Sequence, residues 1–181
     1  MKAIPTAIPD VVILEPRVFE DERGFFLESW NARDLRTALG FDMSFVQDNH
    51  SRSRRGVLRG LHYQILQPQG KLVRVARGRV FDVAVDLRRS SATFGRWAGA
   101  ELSGENHRQV FVPRGFAHGF LVLSDEADVL YKTTDYYAPQ HERCLIWNDP
   151  QVGIAWPLAG EPMLAPRDRA GLGLREAETF A

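Results

Sequence analysis

The chain of 181 residues has a single cysteine, Cys144, no net charge and no apolar run of bilayer length. Each absence closes off a class of protein. One cysteine cannot form an internal disulfide, and Glu142-Arg143-Cys144-Leu145-Ile146 reads as a strand with its thiol buried, so a reduced, cytoplasmic setting is expected. Equal counts of 23 basic and 23 acidic side chains leave no overall field to draw the chain toward nucleic acid or an acidic membrane. Any bound anion must meet arginines gathered locally. The opening Met1-Lys2-Ala3-Ile4-Pro5 lacks the apolar stretch of a signal peptide, and no membrane association is expected. Internal repeats and low-complexity linkers are missing too, which at this length predicts one domain over residues 1–181.

What is present is a period of two. Short runs of Val, Phe and Tyr alternate with Gly, Pro, Asp and Asn, the pattern of an all-β domain. In Arg79 to Leu87, Phe81, Val83, Val85 and Leu87 face one way while Val80, Asp82, Ala84 and Asp86 face the other. Further strands are predicted at 11–14, 25–30, 57–64, 71–77, 94–102, 120–123, 127–134 and 143–147, with turns at Gly70, Gly78, Gly104 and Pro139. One short helix is expected over Ala32 to Leu39, capped by Asn31 and stopped by Gly40. So many short strands point to a jelly-roll barrel or sandwich whose interior holds a small ligand, followed by a loop-rich segment after Pro157.

Two stretches place histidines on or beside strands: Arg59-Gly60-Leu61-His62-Tyr63-Gln64 and Pro113 to Phe120, which contains His118. Two histidines meeting in one cavity serve either proton transfer or a metal. A jelly-roll metal site usually offers His-x-His, then Glu, then a later His. Here Gln64 stands where the second histidine would be, and no Glu follows until Glu101, so a metal-free site is favoured. On a straight strand Arg59 and His62 face opposite ways. A bulge at Gly60, or an arginine reaching round an edge or into a neighbouring subunit, would each reconcile them.

Arg23-Gly24-Phe25-Phe26-Leu27-Glu28, Gln47 to Ser51, Arg59 to Gln64, Phe81 to Arg88, Pro113 to Phe120 and Tyr131 to Tyr137 occur in the order seen in the dTDP-4-dehydrorhamnose 3,5-epimerase family, which the chain resembles over nearly its whole length. The resemblance implies a cupin-like jelly-roll homodimer without cofactor. It implies inversion of two carbons flanking the ketone of a dTDP-linked 4-keto-6-deoxy sugar, on the way to dTDP-L-rhamnose. His62 is then the base, Asp168 the carboxylate that fixes its tautomer, Lys71 the cation beside the ketone oxygen and Tyr131 the acid on the opposite face. Arg23 and Arg59 fall near the nucleotide, with Phe26, Glu28, Gln47, Asn49, His118, Glu142 and Arg167 as further substrate contacts and Tyr137 stacking on thymine. The resemblance also implies that the segment from Arg23 to Glu28 crosses to the neighbouring subunit. Arg167 is a departure, since lysine is usual there.

Competing readings attach to several of these residues. Tyr131, Tyr136 and Tyr137 also suit plain strand packing, and Asp168, flanked by Arg167 and Arg169, also suits a surface ion pair. Asp82 and Asp86 either orient site groups or face solvent and turns. Arg52, Arg54 and Arg55 read as a solvated loop, and His50, His107 and His141 as non-functional. Three functions compete: the double epimerase, with single epimerases or a ketoisomerase as variants; a metal-dependent cupin oxygenase; and a catalytically silent sugar-nucleotide binder. The last predicts loss of His62 or Tyr131, and both are present.

Overall fold

A computed structural model describes residues 1–181. In chain order the elements are β1 (Lys2–Pro5), β2 (Val12–Glu15), β3 (Val18–Asp21), β4 (Gly24–Leu27), α1 (Ala32–Leu39), β5 (Gln47–Arg54), β6 (Leu58–Gln64) and β7 (Lys71–Arg77). They continue with β8 (Arg79–Asp86), β9 (Trp97–Ser103), β10 (Gln109–Val112), β11 (Phe116–Val122), β12 (Glu126–Thr133), β13 (Glu142–Cys144) and α2 (Pro166–Arg169). Two antiparallel sheets, β1-β2-β10-β7-β12-β5 and β13-β6-β11-β8-β9, face each other as the expected jelly-roll barrel, and β3-β4 stands apart as a hairpin. No helix is long and apolar enough to cross a membrane.

Alternation along the strands builds this arrangement. Val73, Val75, Val110, Val112 and Val129 from one sheet meet Val80, Ala84, Leu102, Phe116, Phe120 and Val122 from the other, and this filling closes one end of the barrel. Both faces of β8 are buried. Val83, Val85 and Leu87 point outward, where they are covered by Val152, Leu174 and Ala177 of the C-terminal segment. That segment is therefore a second layer on the five-stranded sheet, and it carries α2. On the other sheet Leu14, Leu72 and Phe111 are covered by Leu35 of α1. Burying Leu35 stabilises this contact by roughly 2 kcal/mol.

The helix forms where the sequence predicts it. The Asn31 side chain accepts from the backbone N–H groups of Arg33 and Asp34, and Gly40 ends the helix with φ of 82°. Several strands differ from expectation. β1, β3, β5 and β10 were not predicted, β11 begins at Phe116 rather than Phe120, β9 at Trp97 rather than Phe94, and the strand expected over 25–30 is the short β4. The basic cluster is corrected as well: Arg52 and Arg54 lie on β5, with Arg52 paired to Asp128, and only Arg55 follows the strand, paired to Asp125.

Candidate active site

The two sheets part at one end around a cavity of about 380 Å³, a size that suits a small ligand. β5 contributes every second residue, Gln47, Asn49 and Ser51. β6 contributes Arg59, His62 and Gln64, β7 Lys71, β11 His118 and β12 Tyr131, while Tyr137, Glu142 and Arg167 stand on the flanking segments.

Arg59 and His62 share this cavity because the ladder slips. His118 on β11 pairs with His62, but Phe120, two residues on, pairs with Arg59, three residues back. One extra residue in β6 reverses the parity of everything before it. Gly60 makes this possible. Its φ is 116°, and a Cβ there would lie 2.6 Å from Gly119 Cα and 2.7 Å from the His118 carbonyl oxygen. The chain thus reconciles Arg59 with His62 by a bulge at Gly60.

His62 Nε2 lies 2.5 Å from Oδ1 of Asp168, which holds one ring nitrogen and leaves the other for a ligand. Asp168 occupies the short α2 rather than the expected loop, and its side chain is only 2% exposed, so the surface ion pair is overturned. Beside this pair stands a second one. His118 Nε2 lies 3.0 and 2.9 Å from the two carboxylate oxygens of Asp82, with both residues buried in the sheet. Asp82 thus orients a site group. Asp86 instead makes turn contacts, accepting from Arg88, Ser91 and Thr93.

Lys71 is buried and donates to the His62 carbonyl oxygen at 3.2 Å. Burial pulls its ammonium down from 10.5 to about 8, against the supporting charges of Asp82 and Glu142. Tyr131 responds oppositely: burial raises its phenol, opposed by the charges of Arg167 and Arg59, so it keeps its proton at neutral pH. The cavity therefore presents a cation that can meet an oxyanion and a phenol that can donate a proton.

At the mouth, Tyr137 Oη donates to Glu142 at 3.0 Å and Arg167 donates to the same carboxylate at 3.1 Å. Arg59 Nε donates to Ser53 Oγ at 2.9 Å. Gln64, at the position of a second histidine ligand in a jelly-roll metal site, uses its amide on Gln67 and on the loop that carries Tyr137. Its Nε2 donates to the carbonyls of Gln67 and Tyr136, and its Oε1 accepts from the Ala138 N–H.

Ten expected substrate or catalytic residues line this cavity, and Asp168 stands behind one of them. Three do not. Arg23 is 86% exposed and paired with Asp21, Phe26 is 66% exposed, and Glu28 accepts from Asn31. All three lie on or next to β4, outside the cavity of their own chain. Ser51 and Gln69, which also line it, were not anticipated, because polar alternation carries no hydrophobic signal.

Comparison with known proteins agrees with this chemistry. The family model described as dTDP-4-dehydrorhamnose 3,5-epimerase matches residues 5–176. A protein of that name from Pseudomonas aeruginosa is 63% identical over 180 residues, covering 99% of both chains. The crystal structure of a dTDP-6-deoxy-D-glucose-3,5-epimerase from Legionella pneumophila, in complex with dTDP-4-keto-L-rhamnose, superposes with a TM-score of 0.95 at 54% identity, covering 98% of this chain and 94% of that one. A 3'-monoepimerase from Streptomyces bikiniensis, bound to dTDP-quinovose, superposes with a TM-score of 0.89 at 37% identity, covering 97% and 88%. With a cavity that sets a carboxylate-braced histidine, a buried lysine and a protonated tyrosine side by side, and with matches spanning almost its full length, the chain belongs to the dTDP-4-dehydrorhamnose 3,5-epimerase family.

Proposed function

We propose that the protein converts dTDP-4-dehydro-6-deoxy-D-glucose to dTDP-4-dehydro-L-rhamnose by proton transfer at carbons 3 and 5, with base, acid and cation all drawn from its own side chains. The observation that carries this reading is the convergence of His62, Lys71 and Tyr131 on one cavity with Asp168 behind His62. A proton next to a ketone is weakly acidic, so its removal needs both a base and a charge to meet the growing enolate. His62 takes the proton through the ring nitrogen that Asp168 leaves free. The electron pair moves onto the ketone oxygen, where the Lys71 ammonium offsets it. Tyr131 then returns a proton to the opposite face, inverting the carbon, and regains one from solvent while His62 releases its own. In a gluco-configured chair the hydrogens on carbons 3 and 5 are both axial on one face, so one base beneath the ring serves both.

Arg59 offers the diphosphate paired donors, and Tyr137 a face for thymine. The exposed aromatic hairpin β3-β4, with Phe19, Phe25 and Phe26, fits packing on a second copy that brings Arg23, Phe26 and Glu28 to the partner's cavity. The free thiol of Cys144 is consistent with work in a reducing cytoplasm.

The test is exchange in heavy water. Purified protein given the 4-keto-6-deoxy sugar nucleotide without added metal should place deuterium at both carbons, and no label at either would refute the reading. Label at one carbon alone selects a monoepimerase, an alternative favoured by the Streptomyces bikiniensis likeness. For Tyr131→Phe, solvent exchange should outlast epimerisation, with inverted product falling about 100-fold or more.

A further inference from the structure

Cys144 is a potential metal ligand beside this centre that proton transfer does not use. It lies on β13 directly opposite His62 on β6, so the two side chains leave the same face of the sheet. His62, Cys144 and Asp168 each offer one ligand atom, and these three atoms lie within 4.8 Å of one another. This grouping differs from the histidine and glutamine arrangement that argued against a metal in the sequence, because here a thiol and a carboxylate join the imidazole. Cys144 also borders a second cavity of about 620 Å³, shared with Arg143, Leu172 and Glu178, so the cysteine is open to more than the substrate cavity's surroundings. Burial, with the charge of Asp168, pushes its thiol up to about 12. A thiol that holds its proton is a poor nucleophile toward electrophiles and disulfides. A thiophilic cation, by contrast, displaces that proton itself.

We propose that His62, Cys144 and Asp168 form an inhibitory site for zinc or a similar thiophilic divalent cation, which silences the enzyme by occupying its base. The inhibition rests on the reading of His62 as base; the binding does not. Three protein ligands with a fourth position for water make an open zinc site. Tetrahedral ligation at about 2.0 to 2.3 Å sets ligand atoms about 3.3 to 3.8 Å apart, so the ion enters between His62 Nε2 and Asp168 Oδ1, now 2.5 Å apart, and separates them while drawing in the thiolate. On binding, the thiol proton leaves to solvent. The ring nitrogen facing Asp168 gives its lone pair to the ion, so the remaining ring proton sits on the other nitrogen, the one that must accept from the sugar. The metal thereby fixes the wrong tautomer and occupies the brace. Magnesium, which prefers oxygen ligands and keeps its waters, is excluded by the same set.

Titrating the metal-free full-length protein with zinc, with cobalt as a coloured substitute, tests this. Zinc should stop deuterium exchange reversibly, with chelator restoring it, at a concentration at least about tenfold lower for wild type than for Cys144→Ala. Cys144→Ala and Cys144→Ser should keep wild-type exchange without metal, and magnesium should have no effect. Cobalt should give a thiolate-to-metal charge-transfer band in wild type and none in Cys144→Ala. Zinc inhibition equal in wild type and both variants, or a wild-type cobalt complex without that band, overturns the proposal. Because the band needs no turnover, an inactive protein with a Cys144-dependent band defeats the epimerase reading and leaves the site standing. An active protein without the band does the reverse.

Discussion

The cavity contains two histidine–aspartate pairs built from the same residue types and set directly across a strand ladder, His62 with Asp168 and His118 with Asp82. They differ in what holds them. Asp82 and His118 sit on neighbouring strands at the centre of one sheet, the histidine side chain only 7% exposed and held by both carboxylate oxygens. His62 is 18% exposed, meets one oxygen, and takes its partner from outside the sheets, on a C-terminal layer. A ring pinned within a sheet is a fixed contact. A ring braced from behind by a separate element keeps a nitrogen for exchange.

Substitution at the histidines should break this comparison most sharply. His62→Gln should lower kcat by about 1,000-fold or more with the melting temperature nearly unchanged, whereas His118→Asn should act mainly through KM, with kcat within about tenfold. Steady-state kinetics beside thermal melts separates the two, and equal kcat losses would erase the distinction. At the carboxylates, Asp168→Asn should cost about 100-fold in kcat because an amide holds the wrong tautomer. Asp82→Asn should show its cost mainly as about 2 kcal/mol of stability in denaturant unfolding.

Lys71, which donates to the His62 carbonyl oxygen and feels the charge of Asp82, sharpens the comparison through pH. It is charged below about 8, so kcat should fall as pH rises through that value. Charging it while buried costs about 3 kcal/mol, so Lys71→Met should abolish turnover yet raise the melting temperature at pH 7. Folded Lys71 titrates near 8 and unfolded Lys71 near 10.5. Between those values the unfolded chain holds more protons, wild-type stability rises with pH, and the gap to Lys71→Met should close by about pH 10.5. The smallest effect is expected of Arg167→Lys, which keeps a cation beside Glu142 and Asp168 and should change kcat/KM by less than about threefold.

How legible each part was depended on how local its cause is. The helix over Ala32–Leu39 and strand β8 were readable because caps and alternation lie within their own residues. β5 was not, since Gln47-Asp48-Asn49-His50-Ser51-Arg52-Ser53-Arg54 alternates between a polar cavity and solvent and so lacks apolar rhythm. The parity conflict at Arg59 correctly pointed to Gly60, but only the pairing with β11 selected the bulge. Asp82 could be assigned to a face but not to His118, because its partner strand lies 36 residues away. Asp168 was reached through family resemblance alone; its own neighbourhood of arginines reads as surface. Cys144, expected fully buried, is partly open, and that opening gives it its second cavity.

The separation of 106 positions between His62 and Asp168 also sets an order of events during synthesis. Every strand of the barrel, including β6 with its histidine, leaves the ribosome before α2 does. A nascent chain can close its sheets around the cavity while the base still lacks its carboxylate, and it becomes competent only when the C-terminal layer docks. Activity thus reports that the layer carrying α2 has docked on strands made before it.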